Sequence, residues 1–355
     1  MTRAEILRWL REEDPATLDV LWARADAVRR ERVGDAVHLR GLVEISNHCV
    51  RRCAYCGISL GRPDLVRYRM SADEIAACAD RAAELGYGTV VLQSGEDPGI
   101  TREWVSDLVR RVKANGRLAV TLSLGERPEP DLAAWRDAGA DRYLLRFETS
   151  DAALYERIHP PLAGRPPGRF AILERLAALG YEVGSGVMIG IPGQTYESLA
   201  ADVALFAGMD LDMIGVGPFI PHPASPLGRG EFPQAPAGEQ VPSTELMTCK
   251  VVALARLVCP EANIPATTAL ATVNPQDGRE HGLARGANVL MPNLTPARYR
   301  ALYEIHPGKA CLREGAAEPG AGGRGRIERM GRTPGSGPGS RRRRPRGTPS
   351  SSSGP

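Results

Sequence analysis

The chain has 355 residues, 43% of them hydrophobic and 25% charged, with a formal net charge of +3. That length suits one large domain of about 250 to 300 residues plus extensions, and no apolar run is long enough to span a bilayer, so a soluble protein is expected. The positive charge is local: residues 314–355 hold nine arginines against three glutamates, which leaves the rest of the chain slightly acidic and argues against a broad nucleic-acid-binding face.

Residues 1–38 place Ile6, Leu7 and Leu10, then Leu18, Leu21 and Trp22, at helical spacing among charged residues. They predict an N-terminal helical extension packed on the main domain. From 39 to about 305, short apolar runs alternate with segments of helical periodicity. Strands are expected at 39–46, 89–93, 118–122, 142–146, 182–189, 213–217, 262–267 and 287–291. Helices are expected at 72–85, 102–114, 130–138, 169–179, 196–207, 243–258 and 279–285, with Ser71 and Glu74 spaced as a capping box. Eight strands joined by crossover helices predict an α/β (β/α)8 TIM-type barrel over 39–313, with a doubly wound open sheet as the competing architecture. Residues 314–355 are rich in Gly, Pro, Arg and Ser without aromatics or periodicity, and are expected to be a disordered tail. That reading extends to the basic run RRRRPR at 341–346.

The run SNHCVRRCAYCG at 46–57 follows the first strand and places Cys49, Cys53 and Cys56 in a C-x3-C-x2-C spacing. Three thiolates hold three irons of a cubane cluster and leave the fourth open to an exchangeable ligand. Zinc is the alternative, but a closed zinc site needs a fourth protein ligand, and Cys78, Cys249, Cys259 and Cys311 are scattered singly. An odd total of seven cysteines and no secretory leader argue against disulfides and for a cytoplasmic, reducing location.

In a barrel, ligands bind at the C-terminal ends of the strands. Polar groups recur there: SGED at 94–97, SLGE at 123–126, Arg146 with Glu148, GIPGQ at 190–194 and PFIPHP at 218–223. Singly, each has a structural reading, Arg146 and Glu148 as a salt-bridged pair and the glycines as turn residues. Together they outline a mouth suited to a ligand with an amino acid end and a nucleoside end.

The cysteine spacing with Tyr55 before the last cysteine resembles the signature of radical S-adenosylmethionine (SAM) enzymes. That resemblance implies a [4Fe-4S] cluster on Cys49, Cys53 and Cys56, and SAM on its open iron. It also implies that Gly95 and Glu96 receive the methionine amino group, that Ser123 and Glu148 contact the ribose or amino acid end, that Arg169 suits the carboxylate, and that Arg146 belongs to the same site and lines the cavity beyond it. Met188 and the following GIPG would meet adenine, with Tyr55 on another side.

Longer stretches resemble the HydE-type maturases of [FeFe]-hydrogenase: RYRM at 67–70, VLQSGED at 91–97, VTLSLGE at 120–126, ADRYLLR at 140–146, GVGPFIPHP at 215–223, NIPATTA at 263–269 and GANVLMPN at 286–293. The implied activity is reductive SAM cleavage acting on a sulfur-bearing iron complex with CO and cyanide ligands. Thr121, Thr267, Thr268 and Met291 would line its cavity, although strand packing would also account for the threonines. An external electron donor and other maturation proteins are the implied partners. Two positions depart from the family pattern. Phe147 stands where a polar residue is usual, and Pro319 and Gly322 occupy the places of two cysteines that would join Cys311, so no accessory cluster is expected. Another biotin synthase-like radical enzyme, inserting sulfur or acting as a methylornithine-type mutase, and a non-catalytic iron carrier are the alternatives.

Overall fold

The computed structural model describes residues 1–114, 116–162, 168–313 and 321–341. Ten strands are assigned among them: β1 Ala36–Ser46, β2 Thr89–Ser94, β3 Ala119–Ser123, β4 Arg142–Leu144, β5 Glu182–Ser185, β6 Met188–Ile189, β7 Met213–Ile214, β8 Gly217–Pro218, β9 Val289–Leu290 and β10 Thr333–Pro334. β1 to β5 lie side by side in chain order, β7 follows β5, and every pairing is parallel. Helices such as Ala72–Glu84, Arg102–Lys113 and Tyr196–Gly208 cross between them. The expected capping box is present: the Glu74 amide donates to Ser71 Oγ and the Ser71 amide to Glu74 Oε2.

The barrel closes through its weakest stave. Residues 262–267, expected to be a strand, form only isolated parallel bridges, Asn263 to Met213 and Pro265 to Val289, and β9 then pairs with β1. Pro265 has no N–H to give a ladder. Asn288 substitutes: its Oδ1 accepts from the Ile264 amide at 2.8 Å and its Nδ2 donates to Asn263 Oδ1 at 3.0 Å. The runs 182–189 and 213–217 each split in two. A side chain at Gly186 would put its Cβ 1.8 Å from the Gly215 carbonyl oxygen, so the two backbones pass closely there and resume as the separate β6–β8 pair.

The N-terminal helices Arg3–Arg11 and Pro15–Val33 pack on the barrel, the first burying Ile6, Trp9 and Leu10. Lys250 donates to the Leu10 carbonyl at the helix end, where a cation meets the negative pole of the helix.

The tail expectation needs correction over part of its length. Residues 314–320 and 342–355 lie outside the described residues, but 321–341 are folded: a helix Ala321–Arg329 leads into β10, which pairs in parallel with Ala36 and Val37 of β1. Ile327 is fully buried and Arg332 donates to the carbonyls of Leu283 and Ala287. Scattered anchors of this kind leave no periodic trace in the sequence.

Candidate active site

All fifteen residues singled out as cluster, cofactor or cavity groups line one cavity of about 360 Å3, which runs from the cysteine loop at the C-terminal ends of the strands to Arg40 near their N-terminal ends. Parallel strands with helical crossovers aim these residues at one axis, because alternate side chains of each strand point inward.

The cysteine loop is held by backbone contacts. Arg67 donates to the carbonyls of Asn47, Ile58 and Ser59 at 2.6 to 2.7 Å, and the Val50 amide donates to the Glu96 carbonyl at 2.9 Å. A Cβ on Gly95 would lie 2.2 Å from the His48 carbonyl oxygen and 2.8 Å from Cys49 Cβ, so glycine lets the end of β2 approach the loop. Burial pushes the Cys56 thiol up to about 12, with the neighbouring Cys49 charge adding to it, and Cys53 is raised by burial and then by Cys56 and Cys49. Three such thiols ionise together only against a compensating cation, which a bound iron cluster would supply. Among the described residues no three His, Cys, Asp or Glu side chains converge as a single-ion site. The donor set therefore fits a cuboidal cluster better than zinc.

Beside the loop lies an ionic network that sequence reasoning missed. Arg51 donates Nε to Glu96 Oε1 at 3.0 Å and pairs through Nη2 with Glu126. Arg169 Nε reaches Glu126 Oε1 at 3.0 Å and its Nη2 lies 3.1 Å from His159 Nε2, while His159 Nδ1 is 3.0 Å from Cys53 Sγ. Burial alone would raise the Glu126 pKa, but the His159 hydrogen bond and the charges of Arg169 and Arg51 lower it to about 2. Glu96 and Arg169 thus border the cavity with polar atoms already engaged. The Glu126 amide also donates to Glu96 Oε2 at 3.1 Å, so any ligand group they receive competes with these bonds. Arg51 sits inside the cysteine run and Glu126 inside SLGE, where they were visible. Nothing local marked His159.

Glu148 is in the left-handed region at φ 64, uncommon for a residue with a side chain. Arg146 Nη2 lies 2.8 Å from Glu148 Oε2, yet no aligned hydrogen bond forms, and the buried oxygen keeps its acceptor capacity toward the cavity. Phe147 turns away from the cavity and packs on Phe170 and Phe206.

Met188 lines the cavity with its side chain. The backbone that follows is braced within the protein: Gln194 donates to the Met188 carbonyl and accepts from the Gly190 amide, and Phe219 donates to the Ile189 carbonyl. Gly190 faces Ser243, 2.4 Å from a built Cβ, so GIPG is a packed turn. Deeper down, Thr121 Oγ1 and Arg40 Nε are buried without partners. Thr267 caps a helix and donates to the Val216 carbonyl, and Thr268 and Met291 complete the wall. Glu44 and Lys309 form a buried pair on the same wall. Both charges on β1, Arg40 and Glu44, were legible as polar residues in an apolar strand. The absence of an accessory cluster was read from Cys311, Pro319 and Gly322, whose side chains lie outside the described set.

The Radical SAM superfamily profile matches residues 43–206. The [FeFe] hydrogenase maturase subunit HydE of Thermotoga maritima is 44% identical over 316 residues, spanning 88% of this chain and 86% of that protein. The chain belongs to the HydE family of radical SAM proteins. It is therefore a radical SAM enzyme, and its cofactors are a [4Fe-4S] cluster and SAM. HydE relatives of other activity are also similar. The 3-methylornithine synthase of Methanosarcina acetivorans is 29% identical, with 78% of this chain and 75% of that one covered. The crystal structure of a methylornithine synthase superposes with a TM-score of 0.78 at 26% identity, covering 94% of each chain, and confirms the TIM-type fold. No helix among the described residues is long and apolar enough to cross a membrane.

Proposed function

We propose that the chain acts in hydrogenase maturation, with Cys49, Cys53 and Cys56 holding the cluster and the deeper cavity receiving a sulfur-bearing, anionic iron complex. The observation that supports this most is the continuity of one cavity from the three thiols past Glu148 to the unpartnered Thr121 hydroxyl and Arg40 Nε. When bound, the reduced cluster supplies the electron that cleaves SAM to methionine and a 5'-deoxyadenosyl radical.

Glu148 accepts from a ribose hydroxyl through Oε2, which pairs with the Arg146 charge but takes no aligned hydrogen bond from it. Glu96 faces the ammonium of the methionine end, and Ser123 adds a hydroxyl beside it. Arg146 and Arg169 set the positive side of the site, Arg169 by exchanging its bond to Glu126 for the ligand carboxylate. Tyr55 and Met188 flank the base with apolar surface. Thr121, Thr267, Thr268 and Met291 form the substrate chamber, where hydroxyl donors and Arg40 suit an anion and the apolar walls exclude water. An external one-electron donor and further maturation proteins complete the reaction setting.

Anaerobically reconstituted, dithionite-reduced protein is expected to convert SAM to 5'-deoxyadenosine, or to trap the radical as an adduct, and Cys53→Ala to retain no cluster. A full cluster with neither product supports an iron carrier instead.

A further inference from the structure

The Gly- and Ser-rich stretch 335–340, which composition alone marks as disordered, runs across the N-terminal end of the barrel. From β10 the Gly335 amide donates to the Val37 carbonyl at 2.8 Å. The Pro338 carbonyl accepts from Thr89 Oγ1 and from Arg142 Nη2, both at 2.9 Å, and Ser340 Oγ accepts from the same Arg142 nitrogen at 2.9 Å. The Gly339 carbonyl accepts from Asn263 Nδ2 at 2.9 Å and from Arg40 Nη2 at 3.2 Å. Arg341 then reaches the far side, with Nη2 at 2.7 Å from Asp210 Oδ1 and Nη1 donating to the Asp210 carbonyl at 2.9 Å. The segment is thereby tied to β1, β2, β4, the Asn263 stave and the approach to β7.

Two of these partners, Arg40 and Asn263, line the reaction cavity from inside. We infer that residues 335–341 back the floor of that cavity: a strap beneath Arg40 and Asn263 that closes the barrel against water and holds both side chains in place through the Gly339 carbonyl. The glycines are required by fit. A Cβ on Gly88 would lie 1.6 Å from the Gly337 carbonyl oxygen, and a Cβ on Gly339, at φ 60, would lie 2.5 Å from the His38 ring. A strap made largely of backbone offers acceptors to the arginines and asparagine above it without filling the chamber. Buried guanidinium groups need such acceptors, because an unpaired buried charge is costly. For an enzyme that handles a carbon radical, a shut floor also keeps water from the substrate. The functional consequence rests on the radical SAM reading; the closure itself does not.

The test is labelling by an arginine-selective dicarbonyl reagent, read residue by residue by mass spectrometry on reconstituted, SAM-loaded protein. In the full chain, Arg40 and Arg142 are expected to be protected relative to the exposed Arg52. In a chain ended after Gly331 they should label about tenfold faster or more, following the open population of the floor, with iron content unchanged. Equal rates for Arg40 and Arg52 in the full chain, or equal protection after truncation, overturn the inference. If the shortened chain does not fold, full-length Arg341→Ala decides: faster amide exchange at 333–341 with the cluster retained supports the strap, and unchanged exchange refutes it. Protection of Arg40 in a protein that fails to cleave SAM would sink the enzymatic reading and leave the floor standing.

Discussion

Replacing Glu126 by glutamine removes the one carboxylate that holds Arg51, Arg169 and His159 together beside the cysteine loop. Its carboxyl group is lowered from an ordinary 4.5 to about 2, and a difference of that size corresponds to about 3 kcal/mol of folding stability. Breaking a buried ion pair by removing one partner costs about 3 to 5 kcal/mol. The two estimates agree. At about 2 °C per kcal/mol for a chain of this size, Glu126→Gln should lower the melting temperature by roughly 6 to 10 °C at neutral pH. The sign with pH follows from the depressed value. The stabilisation is complete above pH 4.5, the unfolded-state value, and is lost as pH falls toward 2. The gap between parent and variant should therefore narrow on acidification. Melts of full-length, cluster-free protein under argon at pH 7 and at stepwise lower pH measure it. A variant as stable as the parent at pH 7, or a gap independent of pH, refutes this account of the network.

Glu148→Gln keeps the shape but weakens the acceptor proposed to meet the ribose, and should raise the dissociation constant for SAM about 10- to 100-fold, measured by equilibrium binding to reconstituted protein. Its iron content should stay that of the parent. Gly95→Ala pushes a methyl group against the His48 carbonyl. It should destabilise the chain by about 1 to 3 kcal/mol and lower the iron retained after reconstitution, both read on one preparation by thermal melting and iron assay.

The cysteine loop was legible because its three cysteines fall within eight residues, so spacing alone reports their proximity. The barrel was legible because strand and helix periods alternate, and each predicted helix boundary lies within two residues of the observed one where a helix was expected. What escaped the sequence depends on distant partners. Arg51 meets Glu126 across 75 residues, and Cys53 meets His159 across 106. The seventh stave was expected at 262–267, but its reduction to isolated bridges was not, because apolar periodicity does not report that the Asn288 side chain takes the Ile264 amide beside Pro265. At GIPG the sequence does not separate a turn glycine from a ligand-facing one, and the contact of Gly190 with Ser243 comes from a partner 53 residues away. The strap was read as disorder because its fit comes from missing side chains, and a lack of side chains is also what disorder looks like in composition.

The central claim is that three thiols share one cubane whose fourth iron binds SAM. Electron paramagnetic resonance of the dithionite-reduced, anaerobically reconstituted chain, with and without SAM, tests it most directly. The account predicts a signal from a single [4Fe-4S] cluster that is absent in Cys53→Ala and whose g values shift when SAM is added. A spectrum indifferent to SAM, or zinc in place of iron at the cysteine loop, would contradict it.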